Sequence, residues 1–211
     1  MEYLIFSDIH GNLPAFETVL KCESHVQGYI NLGDVVNYGP WSNECVQLVD
    51  SLNNCINIRG NHEVYFNQGV CEVKNSLVQF FFDKTYNSFV EHSIIEKYKP
   101  SMDFEGFKLV HTLNNKYIFR DSDIEVDKNF MIGHSHQQFL RFINNRILLN
   151  PGSVGQNRRF INLSNYAIWN LETGEFSLKT KKYDINQLLS KMKEENYPEK
   201  CLDYYNNKKQ Y

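Results

Sequence analysis

Short apolar runs alternate with amphipathic stretches through the first third of the chain, and the polar residues that end each run are the informative ones. Met1 to Phe6 predicts a strand that breaks into Ser7, Asp8, His10 and Gly11. Behind it, Asn12 is suited to capping a helix and Pro14 to its first turn, while Leu13, Phe16, Val19 and Leu20 recur at helical spacing. Gly28 to Asp34 predicts a second strand, followed by a loop to Gly39-Pro40 and a helix with Cys45, Leu48, Val49 and Leu52 on one face. Cys55 to His62 predicts a third strand, again ending in glycine and polar residues, before another helix.

This alternation predicts a largely parallel sheet with right-handed crossovers, in which a site sits beyond the carboxyl ends of the strands. Residues from about 64 to 100 carry Leu77, Phe80, Phe81, Phe89 and Val90 in one or two amphipathic helices and read as a helical insert. Strands are then predicted at Phe107 to His111, Phe130 to His136, Phe139 to Asn150 and Tyr166 to Tyr183, the last with a turn at Glu172-Thr-Gly174. These give a second, mostly antiparallel half. A terminal helix is expected over Asp184 to Glu195, and the polar tail ending at Tyr211 is expected to fray.

Composition narrows the classes. The 211 residues suit a single domain, 1–211, with 42% hydrophobic and 22% charged residues, ordinary values for a folded globule. A net charge of −3 gives no general reason to bind nucleic acid or an anionic membrane, so any phosphate-binding surface has to be a local arrangement. The five cysteines are scattered and contain no Cys-x-x-Cys pair, which fits neither a disulfide framework nor a structural zinc site. No run is long enough to span a bilayer, and a cytoplasmic protein is expected.

Asp8 and His10, two positions apart on an extended backbone, point to the same side and together offer donors to one cation. Asp8, Asp34 and Asn61 lie 26 and 27 positions apart, about one strand-helix unit each, so their strand ends can be neighbours. His111, His134 and His136 follow later strands. Seven nitrogen and oxygen donors with no thiolate suit Mn2+, Fe or Zn2+ rather than Ca2+. The acidic stretch Asp121 to Asp127 lacks the glycine and glutamate of a calcium loop and reads as a solvated loop.

Through Asp8-Ile-His10, Gly33-Asp34, Gly60-Asn61-His62, His111 and Gly133-His134-Ser-His136, the sequence resembles the calcineurin-like metallophosphoesterase superfamily. Ser7 to Ala15, Gly33 to Pro40 and Asn150 to Gln156 are similar to its small bacterial and archaeal phosphodiesterase branch. The resemblance implies an α/β sandwich of two central mixed sheets flanked by helices. It implies that Asp8, His10 and His136 bind one metal, that Asn61, His111 and His134 bind another, and that Asp34 bridges them. Mn2+ is the favoured ion, with Fe, Zn2+ or Ni2+ as others, and a hydroxide shared by the two cations is the implied attacking group. His62 would protonate the leaving oxygen or stabilise its charge.

The expected substrate is a small-molecule or nucleotide phosphoester, cleaved by a phosphodiesterase. A dinucleoside polyphosphate hydrolase and a protein phosphatase are alternatives, the latter set back because Gly33 to Gly39 lacks the arginine that grips phosphate in that branch. The rival of another class is a non-catalytic scaffold or binding protein of the same fold, and the presence of His62 argues against it. Arg158 or Arg159 is expected to clamp a phosphate or to be solvated surface. Tyr38 and Trp41 are expected either to stack on an aromatic substrate group or to pack their loop. The aromatic insert offers a surface for a homodimer.

Overall fold

The computed structural model describes residues 1–211. In chain order its elements are β1 (Glu2–Phe6), α1 (Leu13–Cys22), β2 (Gly28–Asn31), α2 (Ser42–Asp50), β3 (Cys55–Asn57), α3 (Asn61–Gln68), α4 (Ser76–Tyr86), α5 (His92–Ile95), β4 (Ser101–Phe104), β5 (Phe107–Val110), β6 (Asn129–Met131), β7 (Gln138–Ile143), β8 (Arg146–Pro151), β9 (Leu163–Asn170), β10 (Phe176–Lys182), α6 (Ile185–Glu194) and α7 (Glu199–Asn206). They form two five-stranded mixed sheets, ordered β10-β9-β1-β2-β3 and β4-β5-β6-β8-β7, flanked by helices.

The side-chain period of two divides β1 between two cores. Leu4 and Phe6 join a cluster of 31 buried residues beneath the helices, while Tyr3 and Ile5 join an 11-residue cluster with Leu109, Met131, Leu149 and Trp169 between the sheets. Burial on both faces explains why β1 reads as a continuous apolar run. In α1 the Asn12 side chain accepts from the Ala15 N–H, and the helix buries Ala15, Phe16 and Val19 against the sheet.

β1, β2 and β3 run parallel, as the alternation predicts, and β9 joins β1 antiparallel. The second half is mostly antiparallel, as expected, but contains a parallel stretch. β5, β6 and β8 are parallel neighbours, while β4–β5, β7–β8 and β9–β10 are antiparallel. The cause is a long excursion between β5 and β6 that reverses the chain before pairing, whereas β7 and β8 meet through a tight turn at Asn144-Asn145, both at positive φ. Consequently the carboxyl ends of β1, β2 and β3 in one sheet and of β5 and β6 in the other lead into the same region.

Two further expectations change. β4 and α7 were not legible in the hydrophobic pattern. The tail does not fray: Tyr211 N–H donates to Asn162 Oδ1 at 2.8 Å, Asn162 Nδ2 donates back to the Tyr211 carbonyl, and Phe160 packs on the Tyr211 ring. None of the five cysteines is disulfide-bonded, and no helix is long and apolar enough to cross a membrane.

Candidate metal centre

Six of the seven candidate ligands sit in the loop after a strand and Asn61 opens α3; five of the seven are held in the left-handed backbone region: Asp8 (φ 56), His10 (φ 51), Asp34 (φ 58), His134 (φ 67) and His136 (φ 58). Each such residue costs on the order of 1–3 kcal/mol, least for Asp and Asn, and clusters of them mark functional loops. The loops touch so closely that Gly60 has no room for a side chain: a Cβ there would stand 2.1 Å from Asp34 Oδ1.

Three interlocking groups of donor atoms result: Asp8 with His10 and His136, His10 with Asp34 and His62, and Asp34 with His111 and His134. Asp8 Oδ1 stands 3.3 Å from His136 Nε2 and 3.8 Å from His10 Nε2, and Asp34 Oδ2 stands 3.1 Å from His111 Nε2 and 3.9 Å from His10 Nε2. Asn61, at the first position of α3, borders the same cavity as His111 and His134.

The histidines are oriented from behind. His10 Nδ1 faces the Val36 carbonyl at 3.2 Å, His111 Nδ1 that of Leu32 at 2.7 Å, and His136 Nδ1 that of Gln156 at 2.9 Å. A carbonyl only accepts, so each Nδ1 carries a proton and donates it, which turns the Nε2 edge of each ring toward the cluster. Three atoms of the predicted ligands, Asp8 Oδ1, Asn61 Oδ1 and His111 Nε2, are buried with no hydrogen-bond partner. Buried orphans are expensive, and their convergence with a mixed nitrogen and oxygen donor set fits divalent transition-metal ions.

Burial and the carboxylate–imidazole pairs set the charge states of the cluster. Burial alone would raise the Asp8 pKa, but His136 and His111 outweigh it and hold the carboxyl down at about 2. Asp34 is likewise held well below the usual carboxylate range by His111 and His62 against its burial. Burial pushes His10 and His62 down and takes His134 to about 4, so these imidazoles are neutral at pH 7. His111 is the exception: Asp34 overcomes the effect of burial and raises it to about 10.

His62 differs from the other histidines in its support. Its Nδ1 lies 2.9 Å from Asn37 Nδ2, and Asn37 Oδ1 is committed to the Tyr38 N–H and the Thr85 hydroxyl. The Asn37 amide therefore donates to Nδ1, and the proton of neutral His62 rests on Nε2, which stands 3.9 Å from Asp34 Oδ2 and lines the cavity.

The hydrophobic pattern misses the residues that hold the loops. The fully buried carboxylate of Glu63 accepts from four backbone N–H groups, those of Asp34, Val35, Val36 and Gly60, and so ties the second ligand loop to the third. Burial and the Asp34 charge push its carboxyl up to about 7 despite those donors. Asn150 Nδ2 donates to the Gly133 carbonyl and to Ser135 Oγ, while Ser153 Oγ donates to the Asp8 carbonyl. The Asn-Pro-Gly-Ser stretch thus binds a loop of each sheet to the other. Buried polar residues beside ligand motifs, as in Gly-Asn-His-Glu63, are the available sequence signal.

A family model for calcineurin-like phosphoesterases matches residues 1–181. The chain belongs to that family. An uncharacterized protein of Methanocaldococcus jannaschii is 29% identical over 235 residues, covering 92% of this chain and 93% of its own. A metallophosphoesterase from Sphaerobacter thermophilus is 25% identical, with a TM-score of 0.78 over 98% of this chain and 99% of that one. A hypothetical protein from Pyrococcus horikoshii shares the fold at 16% identity, with a TM-score of 0.80 over 97% of each chain.

The remaining candidate residues fall in different surroundings. Tyr38 is 8% exposed and packs edge-on to His10 and 4.6 Å from the Phe81 ring, so most of it serves the core and only an edge reaches the cavity. Trp41 packs against the large core. Arg158 and Arg159 are exposed in the loop after β8 and line a separate cavity that His136 borders. Exposed Tyr117 stacks on His134, 4.1 Å between ring centroids and 18° between planes, a contact with no signal in the hydrophobic pattern.

Proposed function

We propose that this chain is a metal-dependent phosphohydrolase, with phosphodiesterase action on a small or nucleotide-like ester as its principal activity. The observation that supports it most is the convergence of seven nitrogen and oxygen donors from five strand ends, three of them orphaned, beside a histidine whose Nε2 proton faces the same space. Asp8, His10 and His136 would hold one divalent cation and Asn61, His111 and His134 a second, with Asp34 between them. Two such cations supply charge neutralisation at a phosphoryl oxygen and activation of the attacking water.

The protein's own residues do the rest. The three Nδ1-to-carbonyl hydrogen bonds fix the imidazoles before substrate arrives, so no reorganisation accompanies reaction. Asn37 keeps the His62 proton on Nε2, from which it is donated to the departing oxygen as charge develops. A cavity of about 620 Å³ bordered by Asn61, His62, His111 and His134 and walled by Tyr65, Val73, Val78 and Tyr117 offers room for an organic group on this side.

A rate panel tests the reading. Bis(4-nitrophenyl) phosphate, 4-nitrophenyl phosphate, a diadenosine polyphosphate and a phosphopeptide are compared with Mn2+ present. The aryl diester is expected to turn over fastest. Preference for the phosphopeptide would replace the reading with a protein phosphatase, and no turnover of any of the four would favour the scaffold.

A further inference from the structure

The cavity on the far side of His136 has a different chemistry from the one beside His62. It encloses about 820 Å³, and its wall carries Arg120, Arg158, Arg159 and Lys182 with no aspartate or glutamate. The chain as a whole has 25 acidic and 22 basic residues, so a wall whose acidic and basic side chains are all basic is a local departure from its composition. The four side chains come from three distant segments: the excursion after β5, the loop after β8, and the last residue of β10. Sequence-adjacent repulsion therefore does not account for their grouping; the fold collects them.

None of the four is held in an ion pair. The ion pairs made by lysine or arginine side chains are Lys108 with Asp103 and Lys191 with Glu194 and Glu195, and none of the four takes part. Burial, with a smaller contribution from Arg158, pushes the Lys208 ammonium down to about 8. The loop that presents two of the arginines is preset, since Asn157 Oδ1 accepts from the Arg159 and Phe160 N–H groups at 2.9 and 3.0 Å. Like charges in a concave wall repel one another, and an anion that bridges them removes the repulsion and gains charge-assisted hydrogen bonds, bidentate ones from arginine. A phosphate group matches this wall in charge and donor geometry.

We propose that this cavity is a second anion subsite of the same centre, so that the substrate is an organic phosphoester carrying a further phosphate group. The scissile phosphorus lies at the ligand cluster, the second phosphate among Arg120, Arg158, Arg159 and Lys182, and the organic group toward Tyr65 and Tyr117. Tyr117 lines the first cavity and Phe119 the second, and their parallel exposed rings form a ridge between the two. The assignment rests on the proposed phosphohydrolase reading for the identity of the centre, but it concerns binding and is tested by binding.

The test is calorimetric titration of the Mn2+-loaded protein with AMP and with ADP, metal being held in excess of nucleotide. ADP is expected to bind at least about tenfold more tightly than AMP, the effect of a few charge-assisted bonds. In an Arg120→Gln/Lys182→Gln double variant, whose altered residues are exposed and leave the core untouched, that ratio is expected to fall to within about twofold of unity. A Lys108→Gln protein controls for loss of charge elsewhere and keeps the wild-type ratio. Equal affinities for AMP and ADP in the wild type, or an unchanged ratio in the double variant, would overturn the subsite. Bis(4-nitrophenyl) phosphate hydrolysis is followed on the same samples: absent turnover with the tenfold ratio intact would count against the hydrolase reading and leave the subsite standing.

Discussion

Asp34→Asn removes bound metal and phosphoester hydrolysis together, with activity falling by at least about a hundredfold. The reasoning starts from the two ends of the carboxylate. Oδ1 accepts the His62 backbone N–H at 2.9 Å, and Oδ2 faces the Nε2 atoms of His111, His10 and His62 at 3.1, 3.9 and 3.9 Å. An asparagine of the same shape must place its NH2 at one of these ends. Facing the His62 N–H it sets two donors against each other; facing the cluster it offers no lone pair to a cation. Either way the group shared by two of the three donor triads loses its charge. Elemental analysis of the purified variant beside the wild type checks the metal, and the aryl diester assay checks the rate. Retention of full metal content by the variant would show that Asp34 is not a ligand.

His62→Ala separates chemistry from metal binding. The imidazole is held by Asn37 and edge-on contacts with His10 and Tyr65, and it borders the cavity proposed to receive the organic group. Removing it should lower kcat by about 10²- to 10⁴-fold while KM and metal content change little, the signature of a group that acts on the leaving oxygen. The loss should be smaller for a substrate whose leaving group is a good one, such as 4-nitrophenolate, than for an alkyl ester, because less charge then needs stabilising. Loss of metal equal to that of Asp34→Asn would instead make His62 a ligand, as its grouping with His10 and Asp34 allows geometrically.

These outcomes depend on how much of the centre the sequence specifies. The strand that ends in Ser7-Asp8, the helix capped by Asn12, and the repeats at Gly33-Asp34 and Gly60-Asn61 were legible because each ends an apolar run with residues that a strand or helix interior rarely uses. The parallel first sheet follows from that alternation. The parallel pairing of β5, β6 and β8 did not, since strands of three to six residues carry no direction in their pattern and the intervening loop sets the crossover.

The site divides in the same way. Residues that offer donors to a cation announce themselves by type, whereas those that aim them do so through backbone atoms. Leu32, Val36 and Gln156 orient histidines with carbonyls, a role no side-chain pattern encodes. Glu63 and Asn37 were visible as letters but not as partners, because their hydrogen bonds cross between loops 25 to 29 positions apart. The cationic cavity is the extreme case: Arg120 and Lys182 are unremarkable along the chain and join Arg158 and Arg159 only in the folded sheets. Tyr38 shows the converse, an aromatic residue in a promising loop whose ring the fold spends mostly on Phe81 and His10.

The central claim is that the strand ends of both sheets build one metal-dependent centre for phosphoester hydrolysis. It is tested most directly by stripping the protein with a chelator and titrating Mn2+ back while following bis(4-nitrophenyl) phosphate turnover. The account predicts that stripped protein is inactive and that turnover returns in step with metal, reaching its plateau near two ions bound per chain. Full turnover by protein shown by elemental analysis to be free of metal, or Mn2+ binding that never restores it, would contradict the account.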